Sequence, residues 1–195
     1  MLRSSIGDNT GVGRNKNFSR EHVLRKALPI FWKYGFAHTS LGELEKATGV
    51  NKSGLYAEFA DKSDLYVESL RYYLKQRHEE GLLTAKPLGW KNIERFLIQG
   101  PCSLEGRPGC FSINSWNQFA LLPPQAKQAA EASRAFLKDL IERNLEAEKT
   151  KLKPAILADM ILTFFTGIAM EQHLKVTKAS RRRKVAGFMR VLRKL

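Results

Sequence analysis

The sequence predicts an all-α protein with an N-terminal three-helix unit and a larger C-terminal helical unit. Three observations carry this. Apolar residues recur at helical spacing almost throughout, strand-like alternation is missing, and Gly or Pro punctuates the chain where helices must stop or start. At 195 residues with 43% hydrophobic content, the chain can bury a core without disulfide or metal staples. Its two cysteines exclude a disulfide framework.

Residues 1–17, rich in Gly, Asn and Arg, read as a flexible arm with no signal or transit character. The first helix follows, with Ser19 as N-cap and Val23, Ala27, Ile30, Phe31 and Tyr34 on one stripe. Pro29 removes the bond to Arg25, which predicts a kink, and Gly35 closes the helix. A short helix spans about 40–48 and ends at Gly49; another spans about 52–59. A long helix runs over about 62–81 from an Asp61 cap. Residues 18–62 form one unit and 63–195 a second. The second holds helices over about 87–99, 110–121, 124–149 and 154–176, and a basic terminal helix.

Charge narrows the partners. Lys and Arg number 33 against 19 Asp and Glu, a net +14 that favours nucleic acid, an anionic membrane surface or an acidic protein. From 175 to 195 there are nine basic residues and no acidic one, densest at Arg181, Arg182, Arg183 and Lys184. That run reads either as a polyanion patch or as the solvated face of an amphipathic helix with Val185, Phe188, Met189 and Leu192 buried. A helix capped by Ser180 would place four cations in its first turn, against the helix dipole. The stretch 160–170 falls short of the ~18 consecutive apolar residues of a membrane span, so a cytoplasmic protein without a membrane partner is expected.

Two short helices joined at Gly49 have the helix-turn-helix shape. Leu41, Leu44 and Ala47 face inward from the first, and Val50 and Leu55 anchor the second. Lys52, Ser53 and Tyr56 are left near the exposed N-terminal side of the second helix. The ordered run Thr39, Ser40, Leu41, Leu44, Ala47, Gly49, Val50, Leu55, Tyr56, Phe59, Lys62 and Leu65 resembles the signature of the TetR family of bacterial transcriptional regulators. The likeness extends over about 18–74, and the stretch from Gly106 to Phe111 resembles a branch in which Gly-Cys opens the sixth helix.

The resemblance implies a homodimeric DNA-binding regulator, a repressor released from a palindromic double-stranded operator by a small-molecule ligand. Thr39 and Ser40 would then contact phosphates, Lys52 and Ser53 bases or phosphates, Tyr56 the sugar-phosphate backbone, and Lys62 a phosphate at a helix N-terminus. Glu45 departs from a small family residue and Glu58 from a His or Tyr, so position 58 is assigned no contact. Rival readings keep the fold but drop the ligand, or make the chain a helical scaffold or enzyme that binds acidic partners through 175–195.

In the second unit, the helix over 155–176 is apolar almost all round and requires cover on two sides, which a second copy supplies economically. Aromatic residues including Trp90, Phe111, Trp116, Phe164 and Phe165 either line a ligand cavity or form solid core. Ligand contacts are expected from Cys110, Phe111, Asn114, Phe165 and Glu171, with Gln118 and His173 as further polar groups. Arg107 and a helix N-terminus would lower the Cys110 thiol, making Cys102 and Cys110 candidate redox or electrophile sensors; the alternative is a small buried hydrophobe. His22, His38, His78 and His173 are scattered, so no metal site is expected. No nucleotide fingerprint or nucleophile elbow is present, so neither a cofactor nor an enzyme activity is expected.

Overall fold

A computed structural model describes residues 18–100, 109–174 and 176–195. The expectations for the arm at 1–17 and for Cys102, Arg107 and Lys175 lie outside these residues. The described residues form ten α-helices and no strand, as the fold class predicts: α1 (Arg20–His38), α2 (Leu41–Thr48), α3 (Lys52–Glu58), α4 (Lys62–Gln76), α5 (Glu79–Thr84), α6 (Trp90–Gln99), α7 (Phe111–Trp116), α8 (Pro124–Glu146), α9 (Pro154–Glu171) and α10 (Lys178–Leu192). Short 3₁₀ turns follow α7 at Phe119–Leu121 and α9 at Gln172–Leu174.

The helix starts follow from local chemistry. Ser19 accepts from His22 N, Ser40 from Glu43 N, and Asp61 from Asp64 N, each satisfying a donor that the first turn leaves free. Pro124 and Pro154 open α8 and α9, where a missing N–H costs nothing. The backbone of α1 stays helical through Pro29 and breaks at Gly35 instead (φ 75°, ψ 177°), so the break falls one turn from the helix end. Its buried stripe is wider than the expected one and adds Leu24, Leu28 and Trp32, while Tyr34 is exposed. The expected 62–81 helix ends at Gln76, and Gly81 lies inside the separate α5. The cap of α10 is Thr177, which accepts from Ser180 N, rather than Ser180. Arg181–Lys184 therefore sit beyond the first turn, and Lys184 pairs with Glu171 at 2.6 Å. Starting three residues earlier leaves Lys178 as the cation nearest the helix start and moves the Arg181–Lys184 run away from it, which eases the conflict with the helix dipole.

One core runs through the whole chain. α1 packs on α2 and α4, α4 reaches α7 and α8, and α8 lies along α9. Where α1, α4 and α7 meet, Tyr66 is fully buried with its ring edge-on to Phe31 at 5.0 Å and to Phe111 at 5.6 Å. Ser115 Oγ donates to Phe111 O at 2.8 Å, so the Tyr66 hydroxyl donates to Ser115 Oγ at 2.7 Å. Burial pushes the Tyr66 hydroxyl up to about 12. Pro154–Leu174 has the length and apolarity of a membrane span, with mean hydropathy 1.4, but Leu157, Ile161, Leu162 and Phe165 on it are buried in this core.

Two buried polar groups stand apart. Asn144 is fully buried on α8 and all its main bonds are made. Its Oδ1 accepts from Gly89 N at 2.9 Å and from Asn92 Nδ2 at 3.0 Å; its Nδ2 donates to Leu83 O and Leu140 O, both at 2.8 Å. This side chain ties the α5–α6 connection to α8. Glu79 is 2% exposed, and its Oε2 has no hydrogen-bond partner among the described residues. Burial raises its carboxyl above the ordinary 4.5, with Arg77 opposing.

Each makes a prediction. Asn144→Leu strands Gly89 N–H and Leu83 C=O and should cost about 2–4 kcal/mol in chemical denaturation; a loss below about 0.5 kcal/mol would contradict the tie. For Glu79, the unfolded chain releases its proton near 4.5 while the fold retains it to higher pH. Stability therefore falls as pH rises through that window. Glu79→Gln should melt above the wild type at pH 7, with the gap closing as pH drops below 4.5.

Candidate nucleic-acid interface and ligand cleft

The turn between α2 and α3 is fixed by its own residues. Gly49 caps α2 in the left-handed region (φ 71°) and returns its N–H to Glu45 O at 2.9 Å. Thr48 Oγ1 donates to Leu44 O at 2.7 Å and accepts from Val50 N at 3.2 Å, holding the chain as it reverses. Val50 and Leu55 are buried. Asn51 caps α3, its Oδ1 accepting from Gly54 N at 2.9 Å and Ser53 Oγ at 3.1 Å. A Cβ on Gly54 would lie 2.7 Å from Val50 Cγ1, so the turn closes only around glycine there.

With Val50 and Leu55 inside, Lys52, Ser53 and Tyr56 share the exposed face of α3, as the spacing predicts. Tyr56 is 40% exposed and therefore no core aromatic. Lys52 Nζ lies 5.9 Å from its ring centroid, within cation–π reach. The three side chains offer one cation, two hydroxyls and one flat ring, groups suited to phosphate, base edge and sugar.

The other expected contacts are placed differently. Ser40 is exposed, but its hydroxyl and N–H both donate to Glu43 Oε2 at 2.8 Å. That N–H holds the Glu43 carboxyl below its ordinary range. Thr39 is 1% exposed and its hydroxyl donates inward to Gly35 O at 2.7 Å, so its side chain supports the turn instead of facing a phosphate. Lys62 is half-buried, with Nζ donating to Thr39 O at 3.0 Å and standing 4.7 Å from the Phe36 ring. Its ammonium is a structural tie with two N–H groups still to offer. Glu45, the departure from a small residue, accepts the Lys52 backbone N–H and caps α3 from outside. Sequence reasoning missed this role and the Asn51 cap; the Asn-x-x-Gly spacing is the signal for the second.

The expected ligand residues divide between two spaces. Phe111, Asn114 and Glu171 line a cleft of about 510 Å³ between α1, α7 and the end of α9, together with Tyr34, Gln118 and His173. That volume lies in the range of small-molecule sites. Asn114 Oδ1 is 3.1 Å from His173 Nε2, and Glu171 is held by Lys184. Cys110 and Phe165 lie behind, against a cavity of about 40 Å³ that also touches Glu79. Phe165 stacks on Phe96 at 4.3 Å, which makes it a core side chain. Cys110 is buried, and Tyr73 donates its hydroxyl to Cys110 Sγ at 3.2 Å. Burial pushes this thiol up, not down as its place at a helix start suggests, because α7 is short and the sulfur has left water. Among the described residues no cluster of His, Cys, Asp and Glu is arranged to hold a metal ion.

The model of bacterial regulatory proteins of the tetR family matches residues 23–68, which span this turn and its supports. The HTH-type transcriptional repressor ComR of Escherichia coli is 35% identical over 113 residues, covering 53% of this chain and 52% of ComR. The HTH-type transcriptional regulator AcrR of Shigella flexneri is 48% identical over 50 residues, 26% of this chain and 23% of AcrR. The chain thus spans about half the length of ComR and less of AcrR. In fold, it matches a cysteine mutant of the TetR family transcriptional regulator CifR complexed with 26-bp operator DNA. The TM-score is 0.79 at 24% identity, over 91% of this chain and 98% of that one. The ordered motif, the geometry that it builds and these likenesses agree: residues 23–68 match the tetR family of bacterial regulatory proteins, and the chain shares its fold with regulators of that family.

Proposed function

We propose that the chain is a homodimeric, sequence-specific DNA-binding transcriptional regulator of the bacterial cytoplasm, a repressor released from a palindromic operator by a small molecule. The observation that carries this reading is the outward trio Lys52, Ser53 and Tyr56 on a helix anchored by Val50 and Leu55. The recognition helix enters the major groove with this face, Lys52 and Ser53 reading base edges or phosphates and Tyr56 lying on the backbone. Ser40 and Lys62 add phosphate contacts, Lys62 through the N–H groups that Thr39 O leaves free. The names of ComR, a repressor, and of the CifR complex with operator DNA support the direction of the proposal.

Dimerisation rests on α9 and α10. Ile156 (49% exposed) and Met160 (37%) project outward from α9. Phe164 stacks on Phe188 of α10 at 3.8 Å, beside a shallow apolar groove. A second copy laid over this face buries it and sets two recognition helices on one side of a two-fold axis. The cleft holding Phe111, Asn114 and Glu171 takes the ligand, which weakens DNA binding by its preference for the DNA-free arrangement. Nothing in the proposal calls for an enzyme activity, a metal or a membrane.

Operators selected by the full chain from randomised duplex DNA test the first part. Half-sites should lie about 34–36 Å or more apart on a palindrome. Lys52→Ala should lose about 1–3 kcal/mol of operator affinity and relax base preference at one position. Normal binding by Lys52→Ala and Tyr56→Ala, with loss in Arg182→Ala and Arg183→Ala, would move the nucleic-acid surface to α10. Met160→Asp and Phe188→Asp should sediment as monomers with helical circular dichroism retained; dimers of Met160→Asp would overturn the α9–α10 interface.

A further inference from the structure

Gln118 joins the two halves of the molecule at the point where α1 hands the chain to α2. At Gly35 the backbone leaves helical geometry (φ 75°), one turn before the end of α1. The amide of Gln118, reaching across 81 positions of sequence, lies against that turn. Its Oε1 accepts from Ala37 N at 3.2 Å, and its Nε2 lies 3.4 Å from both Tyr34 O and His38 Nδ1. The positive φ favours glycine at 35, and a Cβ there would push the Gln118 amide out of its present place.

The contact continues into the DNA-facing unit. Thr39 Oγ1 donates to Gly35 O, and Lys62 Nζ donates to Thr39 O, which binds the start of α4 to the start of α2. Behind Gln118, the chain passes through the turn Phe119–Leu121 to α8. An amide is suited to the place because it donates and accepts at once. Gln118 and Gly35 also form part of the cleft wall.

We propose that Gln118 is a positioning residue that clamps the helix-turn-helix unit to the C-terminal bundle and so sets the separation of the two recognition helices in the dimer. The proposal rests on the DNA-binding, dimeric reading above. A merely structural role would lower stability or damage each DNA-binding unit by itself. A clamp leaves each unit intact and alters only how two units are spaced.

The test uses the full chain and the operator that it selects from randomised duplexes. Gln118→Met keeps the length but neither donates nor accepts. It should bind the full operator about tenfold more weakly while binding a single half-site within about twofold of wild type. Its preference among operators with half-sites moved by one or two base pairs should flatten. The Ala37 amide should exchange with solvent about tenfold faster. Gln118→Glu keeps the acceptor for Ala37 N and should recover that protection and part of the affinity. An unchanged spacing profile, or equal losses on full and half-sites, overturns the clamp, as does unchanged Ala37 exchange. A wild-type chain that selects no sequence overturns the DNA-binding reading itself, and the clamp's role with it, whatever the exchange at Ala37 shows.

Discussion

The aromatic packing around Tyr66 is the constraint on which the rest of the molecule depends. Tyr66 on α4 meets Phe31 and Phe36 of α1 and Phe111 of α7, while Trp32 and Tyr73 close the cluster on the other side of Phe111. Edge-on rings add about 0.5–1.5 kcal/mol per pair beyond the area that they bury. The Tyr66–Ser115–Phe111 hydrogen-bond chain then fixes the roll of α7 against α4. Because α1 and α4 also enclose the helix-turn-helix core, the same cluster holds the DNA-facing unit and backs the ligand cleft. The proposed ligand cleft is therefore backed by a close-packed wall with no slack to absorb a local displacement.

What the sequence made legible was whatever a few neighbouring residues decide. The caps at Ser19 and Asp61, the glycine at 49 and the prolines opening α8 and α9 depend on contacts within four positions, and all are readable from the sequence. The α10 start shows the limit of that reading. Ser180 and Thr177 are both good caps; the helix starts from Thr177, which moves the Arg181–Lys184 run away from the helix start, and Lys184 meets Glu171. Pro29 and Gly35 show it again. Proline removes one hydrogen bond, which a helix packed on α2 and α4 tolerates, whereas the break falls at Gly35, where the Gln118 amide lies against the backbone. Nothing near Gly35 in sequence announces Gln118.

The candidate site divides along the same line. The exposure of Lys52, Ser53 and Tyr56 follows from the inward anchors Val50 and Leu55 and needed only helical spacing. The burial of Thr39 and the tie from Lys62 arise from the approach of α4 to the α1–α2 joint, a contact 23 positions apart. The candidate ligand residues follow from residue type and neighbourhood, which does not say which side of its helix each one faces. Cys110 and Phe165 turn toward the bundle interior, Asn114 toward the cleft. For Cys110 the local cue was misleading: a helix start favours thiolate, but full burial, with the Glu79 carboxyl adding to it, disfavours the charge more strongly than the Tyr73 hydroxyl's hydrogen bond favours it.

The acidic residues of the DNA-facing unit account for its modest net charge, seven basic residues against five acidic ones over 18–62. Read as a sum, that balance is a poor match for a polyanion. Read residue by residue, several of the carboxylates serve as internal caps. Glu43 closes the capping box of α2, Glu45 takes the Lys52 N–H, and Asp61 caps α4. A carboxylate already bonded to a helix N-terminus has its charge offset by the helix dipole and presents less of it to a phosphate. The same bonds have a cost for recognition. The Lys52 N–H at the start of α3 is taken by Glu45, and the Gly54 N–H by Asn51, so the backbone there has little left for a phosphate. In the proposed complex, base choice then rests on the side chains of Lys52, Ser53 and Tyr56, carried on a helix start that these caps fix, while Ser40 and Lys62 add phosphate contacts.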